Sequence, residues 1–135
     1  MRDPLREGRR WLTQAEVDLD AARHLSERFP ALACFHAQQA AEKALKAILY
    51  GAGERPVLGH SVGELGAAVE QHRPDYASLR REVTKLDRYY IPTRYPNGLP
   101  EGGDPSLAFD KADAEAAIGA AANAVAYARN VLPPA

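Results

Sequence analysis

The chain has 135 residues and a formal net charge of −1, with 26% charged and 46% hydrophobic residues. That length predicts one domain, residues 1–135, with a core that needs no disulfide or metal to hold it. The near-neutral balance excludes a broad basic nucleic-acid surface, so any polyanion must meet a local patch.

A first helix is expected from about Pro4 to Arg28. Leu12, Ala15, Leu19 and Ala22 recur at steps of three and four residues, with Trp11 at the edge of that stripe. Asp18 borders the stripe as a rim carboxylate or as the partner of a neighbouring arginine. The first ten residues hold four arginines with Asp3 and Glu7, and lack the apolar stretch of a signal peptide. Pro30 suits the first turn of a second helix, which Gly51 and Gly53 stop after Tyr50. Cys34, Ala37, Ala41, Leu45, Ile48 and Leu49 make an apolar arc rich in small residues. His36, Gln39, Lys43 and Lys46 make a polar stripe opposite, and Gln38 falls inside the arc, where its amide needs partners. Cys34 is the only cysteine, which excludes an internal disulfide and fits a reducing compartment. It reads as a small core residue, because nothing nearby would lower its pKa.

Ser61 and Glu64 form a capping-box pattern, predicting a third helix from Val62 to about His72. Pro74 opens a fourth, in which Leu79, Val83, Leu86 and Tyr90 share one face, and Pro92 ends it. Residues 91–109 form a long loop rich in Pro and Gly, a length usually tied to function or mobility. Asp110 caps the last helix, whose ten alanines give a smooth packing surface. The pattern is all-α: an antiparallel up-and-down bundle of about five helices with no strands. The stretch Ala116 to Ala128, 13 residues and mostly alanine, is too short and weakly apolar to span a bilayer. The expected location is the cytoplasm, with no membrane contact.

Two prolines bracket Arg94 in Tyr89-Tyr90-Ile91-Pro92-Thr93-Arg94-Tyr95-Pro96, and each restricts its own φ and its predecessor. The segment is therefore stiff and non-helical. Tyrosine faces stack on a guanidinium or a base, and arginine donates bidentately to phosphate. Two readings of Arg94 stay open: a phosphate ligand flanked by Tyr90 and Tyr95, or a packing residue bonded to helix-end carbonyls or Asp87. Lys43 is a further candidate for phosphate contact. No metal or cofactor is expected. The histidines, 24, 36, 60 and 72, lie 12 or more residues apart, and Gly51-Ala52-Gly53 reads as a helix stop.

The run Ala37 to Ala47 (AQQAAEKALKA), then His60-Ser61, then Leu86-Asp87 through YYIPTRYP, resembles the HEPN family (higher eukaryotes and prokaryotes nucleotide-binding). Trp11-Leu12 with Ala15, Asp18 and Leu19, and the terminal Asp113-Ala114-Glu115, extend the resemblance over nearly the whole chain. It implies a small all-α bundle that typically dimerises, often encoded beside a minimal nucleotidyltransferase as a toxin–antitoxin pair. Many members are metal-independent ribonucleases with an Arg-x4-6-His motif, and Arg55 and His60 are the pair here with that spacing. A near-neutral imidazole can take a proton from a ribose 2′-hydroxyl while an arginine stabilises the phosphate. In ribonuclease members the motif usually lies toward the C-terminal helices, where this chain has no histidine after His72. Some members carry a tyrosine two residues after the histidine, and here that position is Val62. The expected function is a dimeric nucleotide- or nucleic-acid-binding module beside a nucleotidyltransferase. The alternatives are an endoribonuclease toxin using Arg55 and His60, and a non-catalytic structural partner subunit.

Overall fold

The computed structural model describes residues 3–133. Among these, six α-helices and three short 3-10 turns form the molecule, and no strand is present. Helix α1 (Pro4–Leu25) starts where Asp3 accepts the Arg6 amide and buries Leu12, Ala15, Leu19 and Ala22. Helix α2 (Pro30–Gly51) is central, and both α1 and the last helix pack along it. The expected apolar arc of α2 is fully buried against them. At Gly8 the approach is backbone to backbone: an added Cβ would sit 2.7 Å from the Ala47 carbonyl oxygen, so no larger residue fits there.

Helix α3 (Val62–His72) is capped by Ser61, whose Oγ accepts the Glu64 amide at 3.1 Å. Only this half of the expected capping box forms among the described residues; the Glu64 side chain does not return to the Ser61 amide, and a carboxylate from elsewhere in the chain takes the next amides instead. The Asp87 carboxylate accepts from the Val62 amide at 2.6 Å, the Gly63 amide at 2.9 Å and Ser61 Oγ at 3.0 Å. A carboxylate at a helix N-terminus meets both the unpaired amides and the positive end of the dipole.

The fourth expected helix is broken into three pieces: a 3-10 turn at Pro74–Tyr76, α4 (Ala77–Thr84) and a second 3-10 turn at Lys85–Tyr89. This changes which tyrosine faces the core. With three residues per turn, Val83, Leu86 and Tyr89 line up and are buried, whereas a 3.6-residue helix would align Tyr90. Tyr90 is instead turned outward toward α2. Residues 91–109, expected as loop, contain a 3-10 turn at Pro96–Gly98 and the four-residue α5 (Pro105–Ala108). Helix α6 (Lys111–Val131) opens with a complete capping box between Asp110 and Asp113 and buries five of its alanines: Ala114, Ala117, Ala121, Ala124 and Ala128.

Candidate functional site

The bend of the chain from Tyr89 to Tyr95 is tied to itself. Thr93, nearly fully buried, donates its hydroxyl to the Tyr89 carbonyl, and the Arg94 and Tyr95 amides both bond the Ile91 carbonyl. This bend points Arg94 back at α2. Its guanidinium carbon lies 4.3 Å from the Phe35 ring centroid and 4.8 Å from each of the Tyr90 and Tyr95 centroids. Nε donates to the Tyr90 carbonyl at 3.0 Å. Among the described residues no carboxylate pairs with Arg94 and no hydrogen bond uses its Nη atoms. Three aromatic faces thus hold a half-buried cation while the forked end of its donor set stays unspent.

Both structural and ligand readings of Arg94 find matching geometry. The helix-end carbonyl contact is present. The Asp87 contact is not, because Asp87 caps α3. Arg94 also lines a cleft of about 390 Å³ with Arg28, Phe29, Leu32, Pro105 and Ser106. Arg28 likewise has no carboxylate partner among the described residues, while Asp104 on the cleft wall is engaged by the Ser106 amide and hydroxyl.

His60 joins this cluster through Tyr90: the imidazole stacks on that ring with centroids 5.0 Å apart and planes 16° apart. Its Nδ1 is 3.2 Å from Glu42 Oε1. Glu42 is buried on α2 and pairs with Lys46 at 3.3 Å. Gln38 meets the need expected of a buried amide, donating to the His60 carbonyl at 3.1 Å and to Glu42 at 3.4 Å, and accepting from Gln39 at 2.7 Å. The loop before α3 is thereby pinned to α2 at both His60 backbone and side chain.

Arg55 and His60 have different anchors. Arg55 sits over the Tyr50 ring at 5.9 Å, and the Tyr50 hydroxyl accepts from the Val57 amide at 3.3 Å. Tyr50 and Glu42 are eight residues apart on α2, about 12 Å along its axis. The arginine that shares a ring with His60 is Arg94.

Lys43 faces α1, with its ammonium 2.6 Å from Asp18, and His36 lies 3.5 Å from the same carboxylate. It lines a separate groove of about 530 Å³ with Glu7, Arg10, Trp11, Thr13 and Gln14. Lys46 departs from the expected polar stripe: it is buried, paired with Glu42, with its ammonium 5.5 Å from the Trp11 centroid. Trp11 in turn stacks on Tyr50 at 5.2 Å. Glu42 and Phe35 were not singled out in the sequence. Their signal was present: they lie seven residues apart, and Lys46 follows Glu42 by four, so the three line one side of a helix. Burial pushes the Cys34 thiol up to about 12, with Asp113 and Asp110 adding to the effect, which disfavours the thiolate a nucleophile needs. Among the described residues no three His, Cys, Asp or Glu side chains gather as metal ligands, and no helix is long and apolar enough to cross a membrane.

The fold is an all-helical bundle that brings an aromatic-held arginine beside a carboxylate-held histidine. The HEPN domain model matches residues 9–131, and the chain belongs to the HEPN domain family. TT1696 from Thermus thermophilus is 35% identical with a TM-score of 0.85, over 93% of this chain and 98% of that one. ST0689, described as an archaeal HEPN homologue, is 33% identical with a TM-score of 0.76, over 94% of this chain and 98% of that one. No protein of curated function matches at a significant level.

Proposed function

We propose that the chain is a nucleotide- or nucleic-acid-binding module that acts as a homodimer in the cytoplasm and works beside a minimal nucleotidyltransferase. The observation that carries this reading is Arg94: a half-buried guanidinium held by Phe35, Tyr90 and Tyr95, with no carboxylate partner among the described residues. A cation partly removed from water and left without a counter-charge favours an anion, and the forked Nη donors match a phosphate. The dimer and the nucleotidyltransferase partner follow from what members of the family typically do.

Titration calorimetry with a nucleoside monophosphate, run beside thermal melts, tests the assignment. Arg94→Ala should weaken binding by about 10- to 150-fold, the loss of one charge-assisted contact of roughly 1.5–3 kcal/mol. Arg94→Lys should restore only part of this, since an ammonium keeps the charge but not the planar fork. Unchanged affinity alongside a clear drop in melting temperature would sink the phosphate role and leave Arg94 as a packing residue.

A second reading, a metal-independent endoribonuclease, is favoured by the Glu42–His60 contact, which orients the imidazole through Nδ1 on a side chain that stays largely exposed. RNA cleavage in EDTA that disappears in both His60→Ala and Arg55→Ala would establish it over the binding reading.

A further inference from the structure

The two sets of candidate residues, one around Arg94 and one in the Arg55–His60 loop, share helix α2 as their support. Three α2 residues hold them in order: Phe35 at Arg94, Glu42 at His60 and Tyr50 at Arg55. From Phe35 to Tyr50 the helix advances about 22 Å at ~1.5 Å per residue. Tyr90 joins the first two positions, because both Arg94 and His60 lie on its ring. The loop from Arg55 to His60 then runs back along α2 and joins the second to the third.

Cations and planar faces alternate along this line. Tyr95 is 47% exposed beside Arg94, and the His60 side chain, stacked on Tyr90, is 60% exposed. Neither Arg94 nor Arg55 pairs with a carboxylate among the described residues. Three acids beside these residues are already engaged: Glu42 is buried against Lys46, Glu54 lies 2.6 Å from His72, and Asp104 accepts from the Ser106 amide and hydroxyl. A single nucleotide has no use for two unpaired arginines whose anchors on α2 lie that far apart. A single strand does, because its phosphates repeat along its length and its bases offer π faces between them.

We infer that these residues form a track for a short single-stranded oligonucleotide, with phosphates on Arg94 and Arg55 and bases against His60 and Tyr95. The inference rests on the nucleotide reading above and extends it from one phosphate to a strand. The 22 Å span corresponds to about six nucleotides at the ~3.4 Å spacing of a stacked strand, and to fewer in an extended one.

Calorimetry on the full chain with thymidine monophosphate and a ladder of oligothymidylates up to about an octamer tests it. These probes lack the 2′-hydroxyl, so transesterification cannot consume them. Affinity should rise about tenfold or more from the mononucleotide to about the hexamer and then level off, as a second charged contact is gained. The hexamer should show a log–log salt slope of about −1.4, for two phosphate contacts at ~0.7 each, falling to about −0.7 in Arg55→Ala. That exposed variant should also weaken the hexamer several-fold more than the mononucleotide, with an unchanged circular-dichroism spectrum. Mononucleotide binding without any length dependence would overturn the track and leave the nucleotide reading standing. A length dependence that ignores Arg55→Ala would place the strand elsewhere and equally overturn it. No binding of any probe would remove both readings.

Discussion

Glu42 shows how one side chain can organise a site it does not visibly belong to. Its carboxylate is buried, yet it meets Lys46, His60 and Gln38 at 3.3, 3.2 and 3.4 Å. The Lys46 ammonium is equally buried and faces the Trp11 ring. Removing one member of a buried pair strands the other's charge away from water, which costs about 3–5 kcal/mol. Glu42→Ala should therefore lower the unfolding free energy in urea by about that amount. The double variant Glu42→Ala/Lys46→Met should cost much less than the two single losses added together. A single-variant loss below about 1 kcal/mol would show that the pair is solvated and does not hold the His60 loop.

At the scale of elements, the decisive event is the change of winding after Thr84. The 3-10 turn Lys85–Tyr89 sends Tyr89 into the core and frees Tyr90 to receive Arg94 and His60. The same turn aims Asp87 at the first amides of α3, so the start of that helix depends on a residue 25 positions away from Val62. Asp87→Ala should cost about 1–2 kcal/mol, the range for losing a cap and its charge at a helix N-terminus. Hydrogen exchange should place the loss at Val62 and Gly63; a stability change under about 0.3 kcal/mol would mean Ser61 caps the helix alone.

Much of this architecture was legible in the chain itself. Pro4, Pro30, Ser61 and Asp110 each mark a helix start through a local backbone preference, and Gly51 falls at the end of α2. The 3-10 segment was not legible, because hydrophobic spacing was read at 3.6 residues per turn and Val83, Leu86 and Tyr90 fit that period. The Arg94–tyrosine cluster could be read because its members are neighbours in sequence. The helical spacing of Phe35, Glu42 and Lys46 was legible, but the contacts of Phe35 with Arg94, Glu42 with His60 and Asp87 with Val62 were not, since each joins residues more than fifteen positions apart, where no local rule applies.

Across the whole molecule, the small residues of α2 are not available for contacts between subunits. Cys34, Ala37, Ala41 and Ala44 are fully enclosed by the chain's own helices, so close α1–α2–α6 packing consumes that surface. What remains outside is different: Phe29, Leu32, Ile91 and Leu107, from the start of α2 and the 91–109 segment, are all exposed. Apolar groups left in water, two of them (Phe29 and Leu32) lining the Arg94 cleft, suit a subunit contact. Sedimentation equilibrium at micromolar concentration should accordingly report twice the 14.7 kDa chain mass, and a species of 14.7 kDa alone would contradict the homodimer.

The account as a whole turns on whether Arg94 meets a phosphate. Nuclear magnetic resonance of arginine side chains in ¹⁵N-labelled protein, titrated with a nucleoside monophosphate, reads that contact directly. The Arg94 Nη resonances should shift saturably and sharpen as the free donors become fixed, while Nε, already bonded to the Tyr90 carbonyl, moves less. Saturable nucleotide binding that leaves the Arg94 resonances unmoved would contradict the account.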